Sequence, residues 1–150
     1  SAVRSHPARA AVVILHAGLI ALRYGRDWRG VLIEGASGSG KSDLALRLIG
    51  RGWRLVSDDY TRVWASGGSL YATAPQSIAG RIEARGVGIV SAATRPLARV
   101  VLAVACVPEA VERLPEPQTR RFCGIDLPLL ALDPRPASAV EMVAVALGTL

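Results

Sequence analysis

The feature that most constrains the fold is a glycine-rich segment with an apolar run before it and a helical pattern after it. The run at 31–33 has the character of a buried strand, and from Lys41 onward apolar residues recur on one face of a helix. Between them the chain matches the pattern G-x-x-x-x-G-K-[ST]. The eight residues of the match are Gly35, Ala36, Ser37, Gly38, Ser39, Gly40, Lys41 and Ser42. A strand, this loop and a helix in that order predict an α/β fold of the P-loop type.

The loop also predicts a ligand. Glycines let the backbone curl so that successive N–H groups point at phosphate oxygens, and the start of the helix adds positive potential. In this pattern Lys41 reaches the terminal phosphates and Ser42 offers its hydroxyl to magnesium. The alternative is a Gly/Ser-rich turn that holds nothing, but such a turn has no need of a lysine at this spacing. We therefore predict that the chain binds ATP, or a related phosphate donor, with Mg²⁺ for phosphoryl transfer.

The size and composition of the chain suit a globular domain. A length of 150 residues fits one unit, here a single P-loop kinase catalytic domain over 1–150. Hydrophobic residues make up 51% of the chain and aromatic residues 5%, so the core must be aliphatic. The apolar runs are much shorter than a membrane span and no leader pattern opens the chain, so we predict a cytoplasmic protein without membrane association.

The net charge indicates which kinds of partner the chain could bind, and the cysteine spacing indicates the state of its thiols. The 18 basic and 12 acidic residues give a net charge of +6, which favours anionic ligands or an acidic protein. The basic residues are scattered and lack the interleaved aromatics that stack on bases, so no nucleic-acid partner is predicted. Cys106 and Cys123 lie outside any Cys-x-x-Cys spacing, and we predict two reduced thiols.

Periodicity and turn residues predict the other elements. Beyond the loop region we expect strands at 11–16, 18–24, 53–56, 86–90 and 97–107, a turn-rich break at 24–29, a hairpin around 66–69, a short helix at 78–84, a surface loop at 108–121 and a C-terminal helix at 137–150. Ser138, with Glu141 three residues later, has the pattern of a capping box at the start of the last helix.

Four further side chains are candidates for chemistry. Asp58 and Asp59 follow the strand after the loop helix, where strand ends of the same direction would meet near the phosphates. Neighbours in an extended chain point to opposite sides, so one aspartate would face the metal or acceptor and the other would not. A turn that ends a strand is the alternative. Glu83 precedes Arg85 and a glycine, where a surface salt bridge is the alternative, and His16 is either a structural histidine or a phosphate contact.

These features together resemble a known family. The segments that carry the resemblance are Asp43 after the loop, 56–59, 74–75, 78–80 and 83–89. Their order and spacing resemble the catalytic domain of HPr kinase/phosphorylase, well over 16–90 and loosely elsewhere. The likeness is greatest to the short form found in alphaproteobacteria.

The resemblance implies a bacterial enzyme that uses ATP and Mg²⁺ to phosphorylate a serine of the phosphocarrier protein HPr, and that reverses this by phosphorolysis. It implies a central mixed β-sheet related to the phosphoenolpyruvate carboxykinase-like nucleotide-binding fold. Members of the family commonly assemble as hexamers, which implies a homo-oligomer here.

The resemblance also assigns roles by matching position. Asp58 would be the acid/base at the seryl oxygen with Asp59 beside it, and Ser42 and Glu83 would be magnesium ligands. His16 would lie near the phosphate. Arg85 would help to form the contact with the protein substrate.

Two departures from the family pattern concern basic residues. Tyr60 stands where the family usually has arginine, which leaves Arg62 as a substitute. A Pro-Gly-Arg-Asn-type loop is replaced at 133–138, where Arg135 is the local candidate for substrate contact. Two other functions remain open from the residues themselves: a small-molecule P-loop kinase and a non-catalytic ATP-binding sensor.

Overall fold

The structure is a computed structural model that describes residues 11–84, 86–91, 94–108 and 117–150. Its strands are β1 (Val13–Leu15), β2 (Ala17–Tyr24), β3 (Asp27–Glu34), β4 (Arg54–Ser57), β5 (Thr61–Ser66), β6 (Ser69–Thr73), β7 (Arg81–Ala84), β8 (Gly88–Ser91), β9 (Ala98–Cys106), β10 (Gln118–Phe122) and β11 (Ile125–Leu132). Its α-helices are α1 (Lys41–Ile49) and α2 (Ala139–Gly148), and a 3-10 turn spans Gln76–Ile78.

The main sheet is mixed and branched. Its strands follow the order β1-β5-β6-β9-β3-β2-β4, and β11 and β10 join through β9. One edge of β9 pairs with β3, while the other pairs with β6 near its start and with β11 near its end. The β3–β9 and β9–β11 pairs are parallel and the other pairs are antiparallel. The predicted α/β fold with a central mixed sheet is confirmed.

Strand direction brings three separate parts of the chain to one edge of this sheet. Strand β2 is antiparallel to both β3 and β4, so β3 and β4 run in the same direction. Both end at the edge where β2 begins. The glycine-rich loop after β3, the Asp58-Asp59 pair after β4 and His16 before β2 therefore lie at the same edge.

The core lies on both faces of the sheet, as strand alternation dictates. In β2, Ile20 packs with Leu44 and Leu48 of α1, whereas Leu19 and Ala21 face the other side. On the helix side α1 and α2 cover a cluster that includes Val31, Ile33, Leu102, Val104, Leu132, Val143 and Leu147. On the other side β5, β6 and β10 complete a cluster that includes Leu32, Val63, Leu70, Val100 and Phe122.

The short helix predicted at 78–84 is wrong. The 3-10 turn at Gln76–Ile78 is followed by Gly80, which adopts φ 77° and ends any helical path. Strand β7 then pairs with β8 as an antiparallel hairpin, with Ile82 buried. The alternation of Ile82 with exposed neighbours is a strand pattern, and four residues were too few to separate it from a helix.

Two loops predicted from polar composition are shorter than expected. The break at 24–29 is a turn at 25–26 only, because β3 starts at Asp27 and pairs with β2 up to its end. In the loop predicted at 108–121, residues 118–121 belong to β10, while 109–116 lie outside the described residues. β10 is exposed along most of its length, and its pairing with β11 makes it a strand.

The C-terminal helix is confirmed, but its capping box is wrong. Ser138 has helical backbone angles, φ −67° and ψ −12°, and its side chain makes no capping hydrogen bond. Glu141 instead pairs with Arg51 from the turn after α1. Within the described ranges no helix is long and apolar enough to cross a membrane.

Candidate active site

The glycine-rich loop is held in a tight curve between β3 and α1. A Cβ atom on Gly35 would lie 2.4 Å from Ser39 Oγ and 3.0 Å from the Cys106 carbonyl oxygen, so only glycine fits there. Gly40 adopts φ 96° directly before α1. The amide of Ser39 donates to the Ala36 carbonyl at 3.0 Å. The local backbone therefore has the curvature that a phosphate-binding loop requires.

Lys41 folds back over this loop. Its side chain is only 8% exposed, and Nζ donates to the Gly35 carbonyl oxygen at 2.7 Å. Nζ also lies 3.4 Å from His16 Nε2 and 4.0 Å from Asp59 Oδ1. A nearly buried ammonium group is costly without such partners, and the terminal phosphates of a nucleotide would replace them.

Asp58 connects the loop to the β7–β8 hairpin. Ser42 Oγ donates to Asp58 Oδ1 at 2.8 Å, and the backbone amide of Glu83 donates to Asp58 Oδ2 at 3.2 Å. The carboxylate therefore stands directly against the hydroxyl that the motif assigns to magnesium. Sequence reasoning placed Asp58 and Ser42 in one site, and the structure brings them together.

Asp59 turns away from Asp58, as expected, but for a different reason. The chain is not extended here: Asp59 adopts φ 66°, and the Tyr60 amide donates to the Asp58 carbonyl at 2.7 Å. Ser57 Oγ donates to the Tyr60 carbonyl oxygen and holds the same turn. Aspartate tolerates this left-handed conformation better than most residues. The turn sends the Asp59 carboxylate to His16, with Oδ1 2.8 Å from Nε2.

His16 lies at the centre of the charged groups. The same nitrogen, Nε2, faces both Asp59 and Lys41. Because a carboxylate only accepts, the hydrogen bond to Asp59 requires the proton on Nε2, and Nε2 then does not accept from Lys41. The ring of Tyr60 stacks on the imidazole, with centroids 5.1 Å apart and planes inclined by 22°.

Three other residues were predicted for the site, namely Glu83, Arg135 and Arg85. The side chain of Glu83 is exposed, and the backbone amide of Glu83 contacts Asp58. Arg135 donates to Asp133 within its own turn, at 2.9 to 3.2 Å. Arg85 lies outside the described residues. The metal role of Glu83 and the substrate contacts of the two arginines stay predictions.

Arg62, suggested as a substitute for the family's arginine, borders a groove, and its role as a substitute stays a prediction. It lines a groove of about 610 Å³ together with Arg95, Gln76 and Thr73. This groove borders β4 through Val56. Arg62 follows Tyr60 by two residues, so the basic group is displaced along β5.

Sequence reasoning missed two groups that support the loop. Glu34, directly before Gly35, places one carboxylate oxygen 3.2 Å from Arg120 of β10, and its other oxygen is buried without a hydrogen-bond partner. Cys106 lies at the end of β9 beneath Gly35. An acid immediately before the loop was the one available signal for Glu34, whereas Cys106 is brought there by strand pairing alone.

The residues present fit a magnesium-bound phosphate. Among the described residues, no three His, Cys, Asp or Glu side chains form a metal-binding group on their own. Magnesium does not need such a group, because it retains waters and uses one or two protein oxygens with substrate phosphates. Ser42 and Asp58 supply such oxygens. The Ser39 hydroxyl is buried in the loop without a partner, which a phosphate oxygen would provide.

Comparison with curated proteins identifies relatives of one kind. Residues 10–96 match the family model described as HPr Serine kinase C-terminal domain. An HPr kinase/phosphorylase of Brevibacillus brevis is 35% identical over 127 residues, which cover 76% of this chain and 41% of that protein. One from Clostridium botulinum is 48% identical over 61 residues, 41% of this chain and 20% of that protein. The matches thus span less than half of these relatives.

A solved structure is similar over nearly the whole chain. The HPr(Ser) kinase/phosphatase from Coxiella burnetii superposes with a TM-score of 0.77 and 26% sequence identity. The match covers 91% of this chain and 95% of that one. The family model spans more than half of the 150 residues and includes the loop and the carboxylates that meet around it. The chain therefore belongs to the HPr serine kinase C-terminal domain family.

Proposed function

We propose that this domain transfers the terminal phosphoryl group of ATP to a serine of the phosphocarrier protein HPr, with magnesium. The observation that carries the proposal is the hydrogen bond of 2.8 Å between Ser42 Oγ and Asp58 Oδ1. It joins the phosphate loop to a carboxylate that can receive a proton from an acceptor. The names of the relatives support HPr as that acceptor.

The glycine-rich loop binds the phosphate donor. Its backbone amides and Lys41 bind the phosphates, and for this Lys41 exchanges its contact with the Gly35 carbonyl for phosphate oxygens. Ser42 holds the metal together with Asp58 or, as the family resemblance implies, Glu83. Bound magnesium neutralises charge on the phosphates in the transition state.

The carboxylates act on the serine that accepts the phosphoryl group. Asp58 takes the proton of the seryl hydroxyl while the bond from the seryl oxygen to phosphorus forms and the bond from phosphorus to the bridging oxygen of ADP breaks. Asp59 and His16 remain paired beside Lys41 and fix the charge distribution around the transferred group. In phosphorolysis the same groups would act in reverse, with inorganic phosphate as acceptor and Arg135 as a contact.

The family resemblance also supports a homo-oligomer, and we propose that this domain self-associates. The edge strand β1 offers a surface for this, because Val13 and Ile14 are 42% and 62% exposed. An apolar groove of about 530 Å³ lies beside it, lined in part by Leu15 and Phe122. Exposed apolar edges of this kind are usual sites of chain association.

The direct test is transfer of labelled phosphate from ATP to purified HPr. We expect Asp58→Asn, which keeps the shape but cannot accept the proton, to lower the rate by about 10²- to 10⁴-fold. Lys41→Ala should abolish transfer because donor binding is lost. The matched control is Asp126→Asn, since Asp126 is an exposed partner of Arg121 and should leave the rate unchanged.

Two results would contradict the proposal. Magnesium-dependent ATP turnover with a metabolite but never with HPr would identify a small-molecule kinase. Nucleotide binding without turnover on any acceptor would identify a sensor. Full activity of Asp58→Asn on HPr would leave the kinase but remove Asp58 from its assigned role.

A further inference from the structure

The aromatic ring of Tyr60 contacts His16, one of the charged groups beside the glycine-rich loop, from one side. It stacks on His16 with a centroid separation of 5.1 Å and an inclination of 22°, within the range of favourable offset stacking. Tyr60 is 47% exposed, so its ring lies at the surface, at the edge of the site, and is not part of the core. The ring therefore limits the movement of a histidine whose own side chain is 42% exposed.

The backbone of Tyr60 is held as firmly as its ring. Its amide donates to the Asp58 carbonyl at 2.7 Å, and its carbonyl accepts from Ser57 Oγ. The turn that separates Asp58 from Asp59 thus also sets the position of the Tyr60 ring. The same turn therefore positions the Asp59 carboxylate and the Tyr60 ring, and both contact the His16 imidazole.

His16 needs such support because its neighbours pull in opposite directions. Its Nε2 lies 2.8 Å from the Asp59 carboxylate, which attracts a proton there, and 3.4 Å from the Lys41 ammonium, which repels one. Rotation of a half-exposed imidazole would leave the Asp59 charge free to pair with Lys41, 4.0 Å away. That pairing would compete with phosphate for Lys41.

We propose that Tyr60 is a positioning residue whose ring holds His16 against Asp59 and so keeps Lys41 available to the phosphate. This rests on the proposed function for its consequence in catalysis. The contact is made by the ring and not by the hydroxyl, so a phenylalanine at this position should keep it.

The test compares Tyr60→Leu with Tyr60→Phe in two measurements. The chain has two histidines, so the ring protons of His16 can be assigned by NMR with a His6→Gln variant. Stacking shifts these protons upfield; Tyr60→Leu should remove that shift and Tyr60→Phe should keep it. In phosphoryl transfer Tyr60→Leu should raise KM for ATP by about two- to tenfold, which corresponds to the loss of one aromatic pair, with a smaller change in kcat, because Asp59 then competes with the phosphate for Lys41.

The control is Tyr71→Leu, which removes a tyrosine from another stacked pair, with Trp64, at a centroid distance of 6.3 Å. It should leave both the His16 spectrum and KM for ATP unchanged. An unaltered His16 spectrum in Tyr60→Leu, an unaltered KM for ATP in that variant, or equal changes in Tyr60→Phe would each overturn the proposal. If the wild-type protein does not phosphorylate HPr, the proposed function fails, while the NMR comparison still decides whether Tyr60 holds His16.

Discussion

At the scale of single residues, Asp58 and Asp59 show how one turn gives two neighbouring identical side chains different surroundings. The left-handed conformation of Asp59 directs its carboxylate to His16 and leaves Asp58 with Ser42. Such a conformation costs a typical residue about 1 to 2 kcal/mol, and the Ser57 hydrogen bond to the same turn offsets part of this. The result is one carboxylate beside the Ser42 hydroxyl and one beside the lysine.

Ser42 provides a prediction at this scale. Ser42→Ala removes both the donor to Asp58 and the proposed metal oxygen, so we expect transfer to fall by at least about tenfold and half-maximal activity to need more Mg²⁺. Ser42→Thr keeps the hydroxyl and should behave like the wild type. Magnesium titrations of phosphate transfer to HPr measure this. An alanine variant with an unchanged magnesium requirement would exclude Ser42 as a ligand.

At the scale of elements, the site depends on how β3 passes into α1. The loop between them must curve over the end of β9, and the space there is set by the Cys106 backbone. α1 is held in turn by Leu44 and Leu48, which are fully buried against the sheet. The start of the helix is therefore fixed in position before any ligand arrives, as preorganised phosphate binding requires.

Gly35→Ala is the corresponding prediction. The new Cβ would lie 3.0 Å from the Cys106 carbonyl oxygen, a backbone atom of the central strand that cannot yield easily. We expect loss of nucleotide binding, measured by titration with a fluorescent ATP analogue, and a lower free energy of unfolding. The control Gly67→Ala lies in the β5–β6 turn at φ 56° with open space around it. It should cost about 1 to 2 kcal/mol of stability and leave binding intact.

Should both alanine variants bind the nucleotide equally well, the loop would be more adaptable than its contacts indicate. Equal loss of binding in both would instead point to global unfolding as the cause.

At the scale of the whole molecule, the buried Cys106 lies where the core on the helix side reaches the edge of the sheet that carries the charged residues. Burial raises the pKa of this thiol from its ordinary 9.0 to about 11, although Lys41 and Arg47 act in the opposite direction. The thiol is therefore neutral in the folded protein over a range where the unfolded chain already carries a thiolate. Its reactivity should be low, in contrast to the half-buried Cys123.

The linked prediction concerns stability at high pH. Because the folded pKa is raised, the contribution of Cys106 is complete below pH about 9 and is lost as pH rises through about 11. The shift corresponds to a loss of about 2 to 3 kcal/mol. Urea unfolding of the wild type and Cys106→Ala across this range should show a steeper decline for the wild type. Parallel curves would mean that Cys106 does not ionise differently in the two states.

Much of the phosphate loop and little of its surroundings could be predicted from local sequence. Helix α1, its buried face and the strand before the loop follow from apolar spacing and glycine placement, which act within a few residues. Strands β7 and β10 were missed because their pairing partners, and not their own composition, make them strands. Local pattern carries no information about which distant strand offers a free edge.

The sequence by itself determined a glycine-rich loop between a strand and a helix, and its aspartates indicated where chemistry was to be expected. Only the tertiary structure decided how those groups meet: β2 runs antiparallel between β3 and β4, which delivers His16, Gly35 and Asp58 to one edge of the sheet. The stacking of Tyr60 and the link from Asp58 to the Glu83 amide were settled at the same level. The physical reason is that chain direction and side-chain convergence arise from long-range pairing and burial, which no short segment specifies alone.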